Sequence, residues 1–420
     1  MPLKTRGMLR QLILVGVYAL GTLGILASGS SGSGSGGGDS SCGLVIQGIA
    51  PATNSGDIWV GVLSKTSEGD YHSVSRLRSD GTEKVSGSEK IRYDFGYAPG
   101  ENLVKVVATD IVNAENKVYV GGDFAGGILR LNDDGKLDAS FVVGDGFDGR
   151  VTSIVPDGTG NVYVGGSFEN YGDTPNISSL VRLKSDGTLD SGGAGASDIE
   201  SIALATDPLP LFSGYLYTGG IMVVDRWDNL VIKDTNFTSV VAPTFTVIAA
   251  DDGSGAIYVG STASIGVARL NLSGGNDGSF DGAGFDAETL SIVRAEDVTV
   301  DIYAGGRFTV YKGASARGIV RLQSTGSPAA GFSIGNGFTN SSNDPDPFSQ
   351  VYSLARATDD TPDIDDTTDI YVGGGFAYYD GVPSNGIARL NDDGSLDSDF
   401  AVEIAAEKGL CTNDTIPGLD

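Results

Sequence analysis

Six arginines stand immediately before a leucine at widely spaced points of this chain: Arg76, Arg130, Arg182, Arg269, Arg321 and Arg389. A guanidinium is a planar fork of donors, so a ring of them could gather an anion around a channel. A residue repeated this regularly has a simpler use, as a buried group pairing with an aspartate or with backbone carbonyls of its own or the adjacent unit. A second set is acidic. Asp359, Asp360, Asp363, Asp365, Asp366 and Asp369 fall within eleven residues, with Asp344 and Asp346 shortly before them. Clustered carboxylates suit a hard cation that wants many oxygen ligands, and calcium is the cofactor this run would take. Its spacing lacks the central glycine and closing glutamate of the helix-flanked calcium loop, and a solvated acidic insertion accounts for the same residues. Nothing else in the sequence requires a cofactor.

Tyr171, Tyr311, Tyr378 and Tyr379 lie in long glycine-containing loops, ENYGDTPNIS, TVYKGASARG and AYYDGVPSNG. There they could stack on a glycan or peptide, or simply fill a turn. Catalytic sets are scarce. The chain has one histidine, His72, in the variable part of the first unit, so a repeated histidine metal set cannot be assembled and a Ser-His-Asp triad would rest on that one residue. Paired carboxylates for glycoside cleavage need only two acids at a set distance, which keeps a carbohydrate-active enzyme as the alternative to a non-catalytic module.

The elements that carry these residues announce themselves by repetition. VYVGGDF at Val118, VYVGGSF at Val162, IYAGGRF at Ile302 and IYVGGGF at Ile370 are the fullest copies of one phrase, with weaker ones at Ile58, Leu216 and Ile257. The aromatic markers Trp59, Tyr119, Tyr163, Tyr217, Tyr258, Tyr303 and Tyr371 come as close as 41 to 45 residues apart, a blade-sized period. Before most phrases runs an apolar segment such as VTSIV or VYSLARA. After it come an Arg-Leu segment, an Asp-Gly turn and a Leu-Asp segment. Short alternating runs bounded by Gly, Asp and Asn are strands joined by tight turns. The paired glycines need no phosphate, because a close strand approach or a bulge demands glycine. Four strands per unit, seven times over, predict an all-β fold, a seven-bladed β-propeller of four-stranded blades.

The phrase, continued as Gly-Ile-x-Arg-Leu-Asn-x-Asp-Gly-Ser-Leu-Asp-x-x-Phe, resembles the bacterial delta-sixty repeat family. The resemblance runs from Leu44 to Phe400 and is fullest at Val118 to Phe141 and Ile370 to Phe400. It departs at Ile221 to Phe237, which keeps only Arg226 and the final Phe, and in the first unit, which lacks the second glycine. What it implies is a β-propeller domain of unknown function in exported proteins, with no assigned activity.

Export is legible independently. Lys4, Arg6 and Arg10 precede an apolar run from Leu12 to Ala27, the order of a secretory signal or an N-terminal anchor over residues 1–29. A Gly/Ser linker follows over 30–41, then the propeller over 42–411 and a tail over 412–420. The net charge is −27. That excludes nucleic acid as a partner, since phosphate binding needs clustered Lys and Arg, and it disfavours anionic membrane surfaces. The mature domain is not expected to insert into a membrane. Its cysteines, Cys42 and Cys411, bracket the repeats, and an exported chain permits a disulfide between them. The expectation is a non-catalytic binding or structural module outside the cytoplasm, extracellular, at the cell surface or periplasmic, with a glycan or protein as its ligand.

Overall fold

The computed structural model describes residues 44–400, except 53–54, 67–68, 98–102, 113–114, 193–197, 206–213, 222–223, 240, 296–299, 341–348 and 358–368. Among the described residues the secondary structure is all β, and no helix is long and apolar enough to cross a membrane. Antiparallel meander sheets follow one another along the chain. Sheet I contains Leu44–Pro51, Ile58–Thr66, Gly69–Leu77 and Arg92–Tyr97. Sheet II contains Leu103–Val112, Glu115–Asp123 and Ile128–Asn132. Sheet III contains Arg150–Pro156, Val162–Ser167, Leu180–Leu183 and Leu189–Gly192. Sheet IV contains Ile199–Leu204, Leu216–Gly220 and Asp225–Trp227.

Sheet V contains Thr244–Ala249, Ile257–Ser261 and Val267–Leu270. Sheet VI contains Thr289–Arg294, Ile302–Gly306 and Ile319–Leu322, and sheet VII contains Gln350–Arg356, Ile370–Gly375 and Ile387–Leu390.

The sequence predicts four strands in every unit, and among the described residues sheets I and III have them. Elsewhere the fourth place shrinks to one bridge, as between Leu131 and Leu137 or Leu390 and Leu396. In sheet II the chain turns away right after that bridge. Asp138 gives its amide to Arg130, and its carboxylate accepts the Ser140 amide at 3.0 Å, which turns the chain inward. Phe141 then packs edge-on against Tyr119, with ring centroids 5.5 Å apart. The same aromatic pair recurs as Tyr217 with Phe237, Tyr258 with Phe280, Tyr303 with Phe332 and Tyr371 with Phe400.

The core lies between sheets rather than within one. Tyr119, Ile128 and Phe141 of sheet II pack with Val151, Ile154 and Val162 of sheet III, and the other clusters likewise join successive sheets. One cluster joins the two ends of the chain: Ile46, Ile49 and Ile58 of sheet I pack with Tyr371, Ile387 and Phe400 around sheet VII. Burying each such Ile or Val is worth roughly 1.5–3 kcal/mol. The first strand of each sheet lies against the first strand of the next, and that of sheet VII lies against that of sheet I.

Candidate functional site

Four of the six repeated arginines, Arg76, Arg130, Arg321 and Arg389, clasp one sheet to the next. Arg130 pairs through Nε with Asp138 at 2.9 Å and donates through Nη1 to the Ser185 carbonyl in sheet III at 2.7 Å. Arg76 pairs with Asp57 and reaches Asp133 O of sheet II, Arg226 pairs with Asp234 and reaches Leu272 O, and Arg321 pairs with Asp301 and reaches Asp392 O. Arg389 pairs with Asp397 and Asp369 and reaches Ser79 O of sheet I. The acceptor is always a backbone carbonyl in an Asp-Gly-type turn, which is why Leu272 can stand where the other copies carry polar residues. Arg182 spends its donors on Asp157 and Asp190, and Tyr163 Oη reaches the corresponding Asn229 carbonyl instead, at 3.1 Å. Arg269 pairs with Asp252 and Asp277. These guanidiniums are paired scaffold groups.

The paired glycines divide two steric duties. A Cβ at Gly165 would meet Ile199 Cγ2 of the next sheet at 2.7 Å, whereas one at Gly166 would land on the Arg150 carbonyl of its own sheet. Gly305 and Gly306, like Gly373 and Gly374, repeat the arrangement against Val351 and Glu288 O, and against Ile46 and Gln350 O. The carbonyl that crowds the second glycine opens a β-bulge. Each first strand skips register at the same place: between Ile46 and Gly48, Val104 and Val106, Val151 and Ser153, Ile199 and Ser201. The skip recurs between Thr244 and Thr246, Thr289 and Ser291, and Val351 and Ser353. Where serine follows the bulge, its hydroxyl accepts an amide from the next first strand. Ile202 N donates to Ser153 Oγ, Val247 N to Ser201 Oγ, Leu354 N to Ser291 Oγ, and Ile49 N to Ser353 Oγ at 3.2 Å.

Bulges re-aim a side chain and are features rather than defects. The residues they single out are Gln47, Lys105, Thr152 and Glu200 in sheets I to IV, then Phe245, Leu290 and Tyr352 in sheets V to VII. All are half-buried, each beside a fully buried neighbour. One equivalent position thus carries unlike chemistries, polar over four successive sheets and predominantly apolar over three. Burial lowers the Lys105 ammonium pKa, as does the nearby Arg150, against the opposing pull of Glu200 and Asp123. Burial raises the Glu200 carboxyl, opposed by Arg150 and Lys105 and reinforced by Asp198. Among the described residues no ion pair joins Lys105 to Glu200, although each feels the other's charge. Gln47 Oε1 is buried without a hydrogen-bond partner among the described residues. This bulge set, which the sequence reading misses, is the candidate functional site. The signal was present in four first strands, as the residue just before Ser-Ile or Thr-Val: Thr152, Glu200, Phe245 and Leu290.

Of the two uses open to the loop tyrosines, stacking on a ligand or filling a turn, three of them show the second. Tyr171, Tyr311 and Tyr379 are buried, 6%, 1% and 1% exposed, so their faces are closed to a glycan. Their hydroxyls donate to Gly187 O, Gly326 O and Gly394 O, and burial pushes all three phenols upward. Each ring caps a cluster whose other members include Phe147, Phe285 or Phe338, from the loop before the sheet's first strand. Tyr378 is half-buried. The turns that hold Tyr311 and Tyr379 put Lys312, Gly313, Asp380 and Gly381 at positive φ, the geometry of a tight primed hairpin.

Of the acidic run, Asp359, Asp360, Asp363, Asp365 and Asp366 lie outside the described residues, as do Asp344 and Asp346. Asp369 is buried at 3% exposure and faces Arg389 Nε at 3.5 Å. Among the described residues no group of three or more His, Cys, Asp or Glu is set to hold a metal. Cys42, Cys411 and the predicted signal, linker and tail lie outside the described residues. The contacts joining sheets VII and I are noncovalent.

The family model described as a domain of unknown function (DUF5122) β-propeller matches residues 115–141, 158–192, 301–332 and 369–400. The matched stretches lie in sheets II, III, VI and VII. No curated protein sequence matches the chain. Among solved structures it is similar to the extracellular domain of a hybrid two-component system from B. thetaiotaomicron, with 13% identity and a TM-score of 0.46, covering 83% of this chain and 40% of that one. It is also similar to Sqt1 of Saccharomyces cerevisiae, with 13% identity, a TM-score of 0.48 and 85% of each chain covered. A chain of the mitotic checkpoint complex matches at 15% identity and a TM-score of 0.45, over 69% of this chain and 77% of that one.

Proposed function

We propose that the sheets are the seven blades of a closed propeller in an exported, non-catalytic module that binds its ligand at the axis, at the cell surface or in the surrounding medium. The observation that supports this reading most is the contrast between the two kinds of repeated position. The arginines keep one identity and are bound into the scaffold. The bulge residues share one position and differ in chemistry from blade to blade. A position held constant in geometry and varied in side chain is how a repeat scaffold acquires one asymmetric site. A disulfide between Cys42 and Cys411, and calcium in the acidic insertion, belong to the same proposal as reinforcements of the exported fold.

The test is to incubate the purified protein with a panel of polysaccharides and proteins from a cell surface, following retention and released reducing ends together. Retention without release is the expected result. Release of reducing ends would replace this reading by the alternative, a glycoside-cleaving enzyme using paired carboxylates.

A further inference from the structure

Two joints between neighbouring sheets put different chemistry in the same place. Between sheets II and III, Asp123 at the end of a second strand faces Arg150 at the start of the next first strand, 3.8 Å from its Nε. Between sheets VI and VII the same two positions hold Arg307 and Gln350, and Arg307 Nε donates to Gln350 Oε1 at 3.0 Å. The guanidinium is thus held by a neutral partner. Among the described residues no carboxylate pairs with it, and neither of its Nη groups has a hydrogen-bond partner. Glu288 accepts the Arg307 amide through its backbone carbonyl at 3.0 Å, while its carboxylate forms no ion pair with the guanidinium. Arginine only donates, so Gln350 spends its acceptor on Arg307 and keeps its NH2 for another oxygen. Tyr352, the bulge residue of the same first strand, stands beside them. Burial raises its phenol, and the charge that opposes the rise is that of Arg307. Gly375 pairs across the strand with Gln350. A Cβ at Gly375 would lie 3.5 Å from Tyr352 Cε2 and 3.7 Å from Tyr352 Oη, so the missing side chain leaves room along the ring. All four residues are half-buried.

We infer that Arg307, Gln350 and Tyr352, over Gly375, bind the carboxylate of a uronic acid residue in a glycan. The inference rests on the binding-module reading and names the chemistry of its ligand, and it uses sheets VI and VII alone. A guanidinium oriented through Nε and free at both Nη groups matches the two oxygens of one carboxylate. The Gln350 NH2 and the Tyr352 hydroxyl then donate to ring hydroxyl oxygens, and the Tyr352 ring gives the C–H face of the sugar an apolar surface. A peptide C-terminus carries the same carboxylate, but the N–H beside it needs an acceptor, and Arg307 and Gln350 have none to spare. The net charge of −27 disfavours a polyuronate, so the ligand that fits is a lone uronate among neutral sugars.

The test is calorimetric titration of the full chain with methyl glucuronoside, methyl glucoside and acetyl-phenylalanine. The two sugars differ only in the carboxylate, and the third probe carries a carboxylate beside a peptide N–H. The glucuronoside is expected to bind about tenfold or more tightly than the glucoside, as a hydrogen bond to a charged group implies, and more tightly than acetyl-phenylalanine. Arg307→Ala should bring the glucuronoside down to the level of the glucoside. Gly375→Leu fills the room beside Tyr352 and should weaken the glucuronoside severalfold. Circular dichroism checks that each variant is folded, and should one fail to fold, the other carries the test. Equal binding of the two sugars, no binding of the glucuronoside to the folded protein, or full affinity in either folded variant overturns the inference. Tighter binding of acetyl-phenylalanine overturns it as well, in favour of a peptide C-terminus. A folded protein that retains other glycans or proteins but no glucuronoside overturns this inference alone, whereas release of reducing ends overturns the binding-module reading.

Discussion

Arg389, in sheet VII, donates through Nη1 to the carbonyl of Ser79 in sheet I, 3.0 Å away across 310 positions of sequence. The bond is the same one that Arg76 makes to Asp133 and Arg130 makes to Ser185, between neighbours in the chain. The joint between first and last sheets therefore uses the noncovalent device of the other joints, with the Ser353 hydroxyl and the shared apolar cluster beside it.

That joint should fail selectively. Arg389→Leu leaves Asp397 and Asp369 buried without their counter-charge, and breaking such a pair costs about 3–5 kcal/mol. Arg182→Leu should cost clearly less, because its guanidinium is 20% exposed against 7% for Arg389, and Tyr163 already holds the neighbouring turn. Urea unfolding of both variants reads the difference. Equal losses would mean that the buried pairing of Arg389 is not what secures the joint.

The two glycines of the repeated phrase should differ as well. Gly165→Ala presses on the ends of Ile199 and Ile202, which can give, so overpacking of about 1–3 kcal/mol is expected. Gly166→Ala drives into the Arg150 carbonyl at the mouth of the bulge, where the backbone itself must move. Its loss should be the larger, with faster hydrogen exchange confined first to Arg150–Pro156. A milder effect at Gly166 than at Gly165 would contradict the bulge as the reason for the second glycine.

Tyr379 separates core from rim. Tyr379→Phe removes only the hydroxyl bond to Gly394 O and should cost about 0.5–1.5 kcal/mol, while Tyr379→Ala empties a buried ring site and should cost about 3–5 kcal/mol. Tyr378→Ala, its half-buried neighbour, should cost less than Tyr379→Ala. Thermal unfolding of the three variants orders them. A larger loss at Tyr378 would put the wrong ring inside.

The aromatic-Gly-Gly strands and the Asp-Gly turns were legible because glycine and β-branched residues leave a local signature. Gly135, Gly187 and Gly394 take positive φ at the turn positions that the sequence marks. The fourth strand was overcounted because most units turn inward after a single bridge, as at Asp138 in sheet II, and apolar alternation does not reveal that turn. The choice between rim and turn for Tyr171, Tyr311 and Tyr379 was not legible in the sequence because their partners Phe147, Phe285 and Phe338 lie more than twenty residues upstream. Lys105 and Glu200 were passed over for a related reason. A bulge breaks the period of two at the residue that matters, and the chemistry there differs from unit to unit.

Acid should destabilise the fold in separate steps. His72 is fully buried with neither ring nitrogen hydrogen-bonded, and burial holds its pKa below 6.5, helped by Lys105 and opposed by Asp70. A lowered pKa means that the folded state disfavours the proton, so stability is present above about pH 6.5 and is lost as pH falls through that value. The Ser279 hydroxyl lowers Asp277 and the Arg226 guanidinium lowers Asp234, giving a further loss below the ordinary aspartate value of 3.8. Glu200 works against the trend. Its raised pKa favours the protonated fold, so its contribution falls as pH rises from the ordinary glutamate value of 4.5 through the raised one. Urea midpoints measured from pH 8 to pH 3 should decline first near neutrality and again below about pH 4. His72→Leu should flatten the upper step and leave the lower one, and Glu200→Gln should steepen the decline between them. An upper step that persists unchanged in His72→Leu would remove His72 as its source.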